Sequence, residues 1–176
     1  MKLFASRASG RAVTAGYVAM IYLTLGVVGS FQLWLRDTGW QTPVSTAILV
    51  FSISAALYIV VIRQRRRSAM NLVALAGAGF MYAYLMTTFS QNPSSRIHLV
   101  EYSLLAILLY YTLRFDVKNK SAYVLAWVIT TFIGFVDEVI QAYLPTRAYD
   151  LDDLMINTMA AAIALCVVGV VVEDEK

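Results

Sequence analysis

The 176-residue chain has one cysteine, one histidine, three prolines and few charges. Cys166 has no second cysteine to pair with, so an intrachain disulfide is excluded. His98 is the only imidazole and Cys166 lies far down the chain, which leaves a zinc centre of the usual nitrogen and sulfur kind short of ligands. Charged residues make up 14% of the chain and hydrophobic ones 60%. Ordinary soluble domains carry about 25% charge and about 45–50% apolar residues. Mean hydropathy is +0.67. The alternating pattern of a membrane barrel is missing, as are low-complexity tracts and long linkers. What remains is an all-α integral membrane protein.

The apolar residues come in blocks, and a membrane span needs roughly 20 of them in succession. Six stretches qualify: Val13–Leu35, Val44–Ile62, Met70–Phe89, His98–Arg114, Ser121–Gln141 and Leu154–Val172. The fourth is the weakest, because Glu101 interrupts it near its start. All six are expected to be helices, since backbone groups in hydrocarbon must be satisfied within the chain. Basic residues precede the first block, as in a secretory signal. Its run is long, though, and no Ala-x-Ala-like site follows, so it is expected to be retained as a span.

Lysine and arginine gather in short cytoplasmic segments. With the N-terminus inside, the inner segments hold Lys2, Arg7, Arg11, Arg63, Arg65, Arg66, Arg67, Arg114, Lys118, Lys120 and Lys176. The outer ones keep Arg36, Arg96 and Arg147. Both termini are therefore expected in the cytoplasm. The run RQRRR directly follows a span and reads as a topology anchor, not as a nucleic-acid site.

This orientation collects the unusual polar residues at one face, the extracytoplasmic one. His98, Glu101 and Tyr102 share an arc of roughly 100° on the fourth helix, and Asp137, Glu138 and Gln141 do so on the fifth. Asp150, Asp153 and Asn157 fall within about 60° on the sixth, provided that helix already includes Asp150. Ionisable residues within a span are costly and mark functional sites. Bland readings stand beside this one: Asp150 and Asp152 as loop or cap residues, Tyr102 and Tyr143 in an aromatic belt, Arg147 as a neutralising charge. Ser94 or Ser95 could cap the fourth helix, and Asp150 or Asp152 the sixth. Small-residue pairs Ala74/Ala78 and Ala160/Ala164, and Cys166 with them, read as packing. The first 69 residues then look like a two-span scaffold, and residues 70–172 like a four-span working half.

The stretches HLVEYSLL (His98 to Leu105), VDEVIQ (Val136 to Gln141) and LPTRAYDLDDLMIN (Leu144 to Asn157) resemble the VanZ-like family of bacterial membrane proteins. That family's histidine, Tyr, Asp-Glu-x-x-Gln, Pro-x-Arg and Asp-x-x-x-Asn correspond to His98, Glu101, Tyr102, Asp137, Glu138, Gln141, Pro145, Arg147, Asp153 and Asn157. Arg96 stands two positions before the histidine where the family often has Lys immediately before it, and Ala160 stands where it often has Gly. The resemblance covers roughly Met70 to Val168. It implies a bacterial cytoplasmic-membrane, cell-envelope setting and a link to low-level resistance to teicoplanin, a lipid-bearing glycopeptide.

The residue types allow several chemistries. Clustered oxygens suit a hard divalent cation such as Mg²⁺, Mn²⁺ or Ca²⁺. Packed carboxylates with His98 suit acid–base work, and Arg147 suits a phosphate or carboxylate. Catalytic roles are expected for His98, Glu101, Asp137, Glu138 and Asp153, and substrate contacts for Tyr102, Gln141, Arg147, Asp150 and Asn157. Three functions fit: an enzyme on a lipid-linked envelope substrate, a protein binding membrane lipid or a lipoglycopeptide, and an ion-coupled transporter. Transport is the least favoured, because the polar groups crowd one face. No Ser or Cys nucleophile stands beside a base in the sequence, which weakens a simple hydrolase.

Overall fold

In the computed structural model, residues 3–89, 93–145 and 149–173 are described, apart from the side chains at 26–28 and 30. These residues form six helices and no strand: α1 (Arg7–Asp37), α2 (Gln41–Leu57), α3 (Ala69–Thr88), α4 (Ser95–Leu113), α5 (Ser121–Ala142) and α6 (Leu151–Val167). Helices α2 and α6 run on as π-helical stretches, Tyr58–Arg63 and Val168–Glu173.

Local chemistry sets the ends. Ser6 and Ser9 make a capping box at α1, and Ser68 accepts from the Asn71 amide at α3. Gly39, at φ +75°, takes the left-handed turn after α1 that a side chain would strain. Pro145 lies just past α5.

Among the described residues, four helices are long and apolar enough to cross a bilayer: Gln41–Arg63, Ala69–Thr88, Ser121–Ala142 and Leu151–Glu173. Their outward side chains, such as Phe51, Val73, Phe80 and Phe132, are exposed and apolar, as lipid contact requires. Helix α4 carries Arg96, His98 and Glu101 in its first two turns. It packs against α1, α2, α5 and α6, so neighbouring helices and not lipid cover most of its surface.

Two buried clusters hold the bundle. The larger joins Ile21 of α1, Tyr102, Leu105, Ala106 and Leu109 of α4, Ala122 and Ala126 of α5, and Ala161 and Leu165 of α6. The smaller joins Leu99, Ile156 and Ala160, with Tyr82 and Met86 of α3 packed on it. Ala160 and Ala164 are buried and permit close approach, as their spacing implies. Ala74 and Ala78 differ. They line an open apolar groove of about 350 Å³ between α3 and α6, beside Met81, Met159 and Cys166. Cys166 is exposed there and is not a packing residue.

The helices alternate in direction, so the two ends of the bundle differ in charge. At one end Arg7 and Arg11 each lie 3.1 Å from Asp116, Arg114 pairs with Glu173, and Arg66 donates to the Val172 carbonyl. The start of α4, the end of α5 and the start of α6 meet at the other end.

Candidate functional site

Three helices each bring one polar stripe to that second end. On α4 it is Ser95, His98 and Tyr102, on α5 Gly134, Asp137, Glu138 and Gln141, and on α6 Asp153 and Asn157. Spacings of three and four residues keep each set on one helix face. All the polar members are buried, and Tyr102, Glu138 and Asn157 have no exposed surface. Tyr102 is therefore a core residue and not part of an aromatic belt.

His98 lies between two carboxylates. Its Nδ1 is 3.9 Å from Asp137 Oδ2 and its Nε2 3.7 Å from Asp153 Oδ2. Both distances exceed a hydrogen bond. The Tyr102 hydroxyl donates to Asp137 at 2.7 Å, and its ring stacks on the imidazole, 6.1 Å between centroids. Glu138 accepts on both oxygens, from the Gln141 amide and the Asp150 backbone N–H, each at 3.1 Å. Burying carboxylates costs several kcal/mol apiece unless donors or counter-charges compensate. These donors supply part of that compensation.

Asp150 takes a different part from the one its spacing suggests. Helix α6 starts at Leu151, and Asp150 is its extended N-cap, with a side chain that accepts from the Asp152 amide. The condition for a shared 60° arc thus fails, and Asp150 reaches the cluster through its backbone. Glu101 is half-buried, in electrostatic range of the Tyr17 and Tyr102 hydroxyls. Arg147 lies outside the described residues.

Two members escaped sequence reasoning. Ser94 holds the N-cap position of α4 without a side-chain cap bond, while Ser95 donates its hydroxyl to Asp153 at 2.6 Å. The fold thus places beside a carboxylate the serine that the linear sequence did not. Gly134 is the second. A Cβ there would lie 3.1 Å from the Tyr102 ring and 3.2 Å from Asn157, so a side chain at this α4–α5–α6 contact would make its neighbours give by a few tenths of an ångström. The spacing of Gly134 from Asp137 and Glu138 was the available signal.

The sequence pattern of the VanZ/LLP1 family matches residues 16–172. The chain belongs to the VanZ family. The match begins within α1, so the family pattern takes in the first two helices as well as the site-bearing ones. No curated protein and no solved structure matches the chain. Among the described residues of this VanZ-family membrane protein, His98, Glu138 and Asp153 are the set placed to share a metal ion, with donor atoms within 4.8 Å of one another.

Overpacking at a tight helix contact costs about 1–3 kcal/mol. Gly134→Leu is therefore expected to lower the melting temperature in detergent and to abolish any activity of the site, while Gly79→Leu, which has open space around it, should melt like the parent. Equal melting of the two variants would show that the α4–α5–α6 contact is loose.

Proposed function

We infer that this VanZ-family protein crosses the bacterial cytoplasmic membrane six times with both termini inside. On this reading α1 and α4 cross as well as the four most apolar helices. The polar cluster then faces outward and serves an enzyme acting on a lipid-linked or phosphate-bearing envelope substrate. The observation that carries the catalytic reading is His98 held between Asp137 and Asp153, with Glu138 beside them, all buried. Groups at such cost and convergence are placed for chemistry. His98, Glu101, Asp137, Glu138 and Asp153 carry the reaction. Tyr102, Gln141, Arg147 and Asn157 hold the substrate, with Arg147 on its phosphate, and Asp150 serves through the backbone N–H that it gives to Glu138. A role in teicoplanin resistance follows if that substrate belongs to the cell wall.

The groove between α3 and α6 favours a second reading. Its apolar lining of Ala74, Ala78, Met81 and Met159 suits an acyl chain, and a protein that only binds an amphipathic lipid or lipoglycopeptide would use it without turnover.

Orientation rests on the charge asymmetry of the two ends. A single cysteine at Tyr149, in a Cys166→Ala background, is expected to react with an impermeant thiol reagent in intact cells. One at Gln64 or Asn119 should react only after lysis. The reverse pattern would place the cluster inside.

A further inference from the structure

The imidazole nitrogen of His98 that faces Asp153 stands 3.7 Å from the carboxylate oxygen. That gap is too long for a hydrogen bond. It is close to the spacing of two ligands on one ion: with metal–ligand bonds of about 2.0–2.2 Å, neighbouring donors lie about 3–3.6 Å apart. Glu138 completes a set of three donors, one from each of three helices, with all donor atoms within 4.8 Å of one another.

We propose that His98, Glu138 and Asp153 are the protein ligands of a divalent metal ion, with Mn²⁺ the best match. Each ligand has its own outer partner. Gln141 and the Asp150 amide hold Glu138, Ser95 holds Asp153, and Asp137, itself held by Tyr102, faces the other imidazole nitrogen. Metal-binding histidines and carboxylates are oriented in this way. The second observation is Asn157, one turn past Asp153 and fully buried. Neither amide atom of Asn157 has a hydrogen-bond partner among the described residues. It lies against Gly134, one turn from Glu138, where a metal-bound water would satisfy it.

The charges agree. Glu138 and Asp153 receive only neutral hydrogen-bond donors among the described residues, and buried carboxylates are paired or bind metal. Two carboxylates suit Mg²⁺, Ca²⁺ and Mn²⁺, and of these three Mn²⁺, a first-row transition metal, takes an imidazole nitrogen most readily. Ca²⁺ wants six to eight oxygens and Mg²⁺ an oxygen octahedron. Three protein ligands also leave positions open for water or substrate, as in catalytic metal sites.

This proposal rests on the enzyme reading for its purpose and is tested apart from it. The full chain, purified in detergent and stripped with chelator, is titrated with Mn²⁺ and followed by electron paramagnetic resonance. One saturable Mn²⁺ per chain is expected, with nitrogen coupling from a single imidazole and displacement by Zn²⁺ but not by equal Ca²⁺. Glu138→Gln and Asp153→Asn should weaken binding at least 10-fold, since loss of even an outer partner costs about 10–100-fold. Asp152→Asn should bind like the parent. The metal should also raise the parent's melting temperature. The imidazole coupling is read on the parent alone, so it stands even if a variant fails to fold. A parent without a saturable site, or with bound Mn²⁺ lacking nitrogen coupling, overturns the proposal. Loss of function in Glu138→Gln without a Mn²⁺ site removes the metal and leaves the enzyme reading intact. A Mn²⁺ site in a protein whose ligand variants remain fully functional does the opposite.

Discussion

Glu138→Gln is expected to leave the VanZ-family chain inserted, purifiable and melting within a few degrees of the metal-stripped parent, while activity falls about 10²–10⁴-fold, the usual contribution of an acid–base group. The glutamine keeps the shape, and its single carbonyl oxygen can still accept one of the two bonds, from the Gln141 side chain or from the Asp150 backbone N–H. Its NH₂ group replaces the other acceptor, so helix packing is kept at the cost of one hydrogen bond, about 1 kcal/mol. What it removes is the charge. His98→Gln should behave alike, because the imidazole stands between Asp137 and Asp153 and no other histidine can replace it. Turnover of a lipid-linked substrate, or teicoplanin sensitivity of cells carrying each variant, gives the readout. Asp152→Asn is the control: the α6 cap uses its backbone amide and leaves its side chain outside the cluster, so activity should hold. A Glu138→Gln protein that unfolds marks a structural acid. Folded variants with full activity would remove the enzyme reading and favour lipid binding along the α3–α6 groove.

Tyr102→Ala should have the largest effect on stability, a loss of about 3–5 kcal/mol typical of deleting a fully buried aromatic ring. Tyr102 has no exposed surface and sits in the main core cluster, touching α5 at Gly134 and stacking on His98. Tyr102→Phe separates the two roles of this residue. It keeps the ring and the packing, and removes only the hydroxyl that donates to Asp137. The alanine variant is expected to lose most of its folded yield in detergent. The phenylalanine variant should melt within a few degrees of the parent yet lose activity as Asp137 loses this one donor. If Tyr102→Phe is as unstable as Tyr102→Ala, the hydrogen bond and not the ring holds α4 to α5.

The amino-acid sequence by itself determined the solvent, the helix count and the family. Low charge and long apolar runs leave a chain of this length no alternative to membrane helices, and periodicity alone places Asp137, Glu138 and Gln141 on one face, as it does Asp153 and Asn157. Those are local properties of a 3.6-residue repeat. Only the tertiary structure decided which stripes meet and at what distance. Whether His98 faces Asp153 depends on the rotation and height of α4 against α6, which is set by packing across the helices, including the close approach of Tyr102 and Asn157 to Gly134. Ser95 is one of two adjacent serines at a helix start, and nothing in its neighbours distinguishes a cap from a donor to a residue 58 positions away. Asp150 looked like a site side chain because an ideal helix was extended one residue too far; its extended backbone makes it a cap and turns its N–H onto Glu138. The same holds for Cys166 and the Ala74/Ala78 pair, whose small size can mean close contact or a gap. Small residues permit approach, but the larger side chains around them determine whether two helices close.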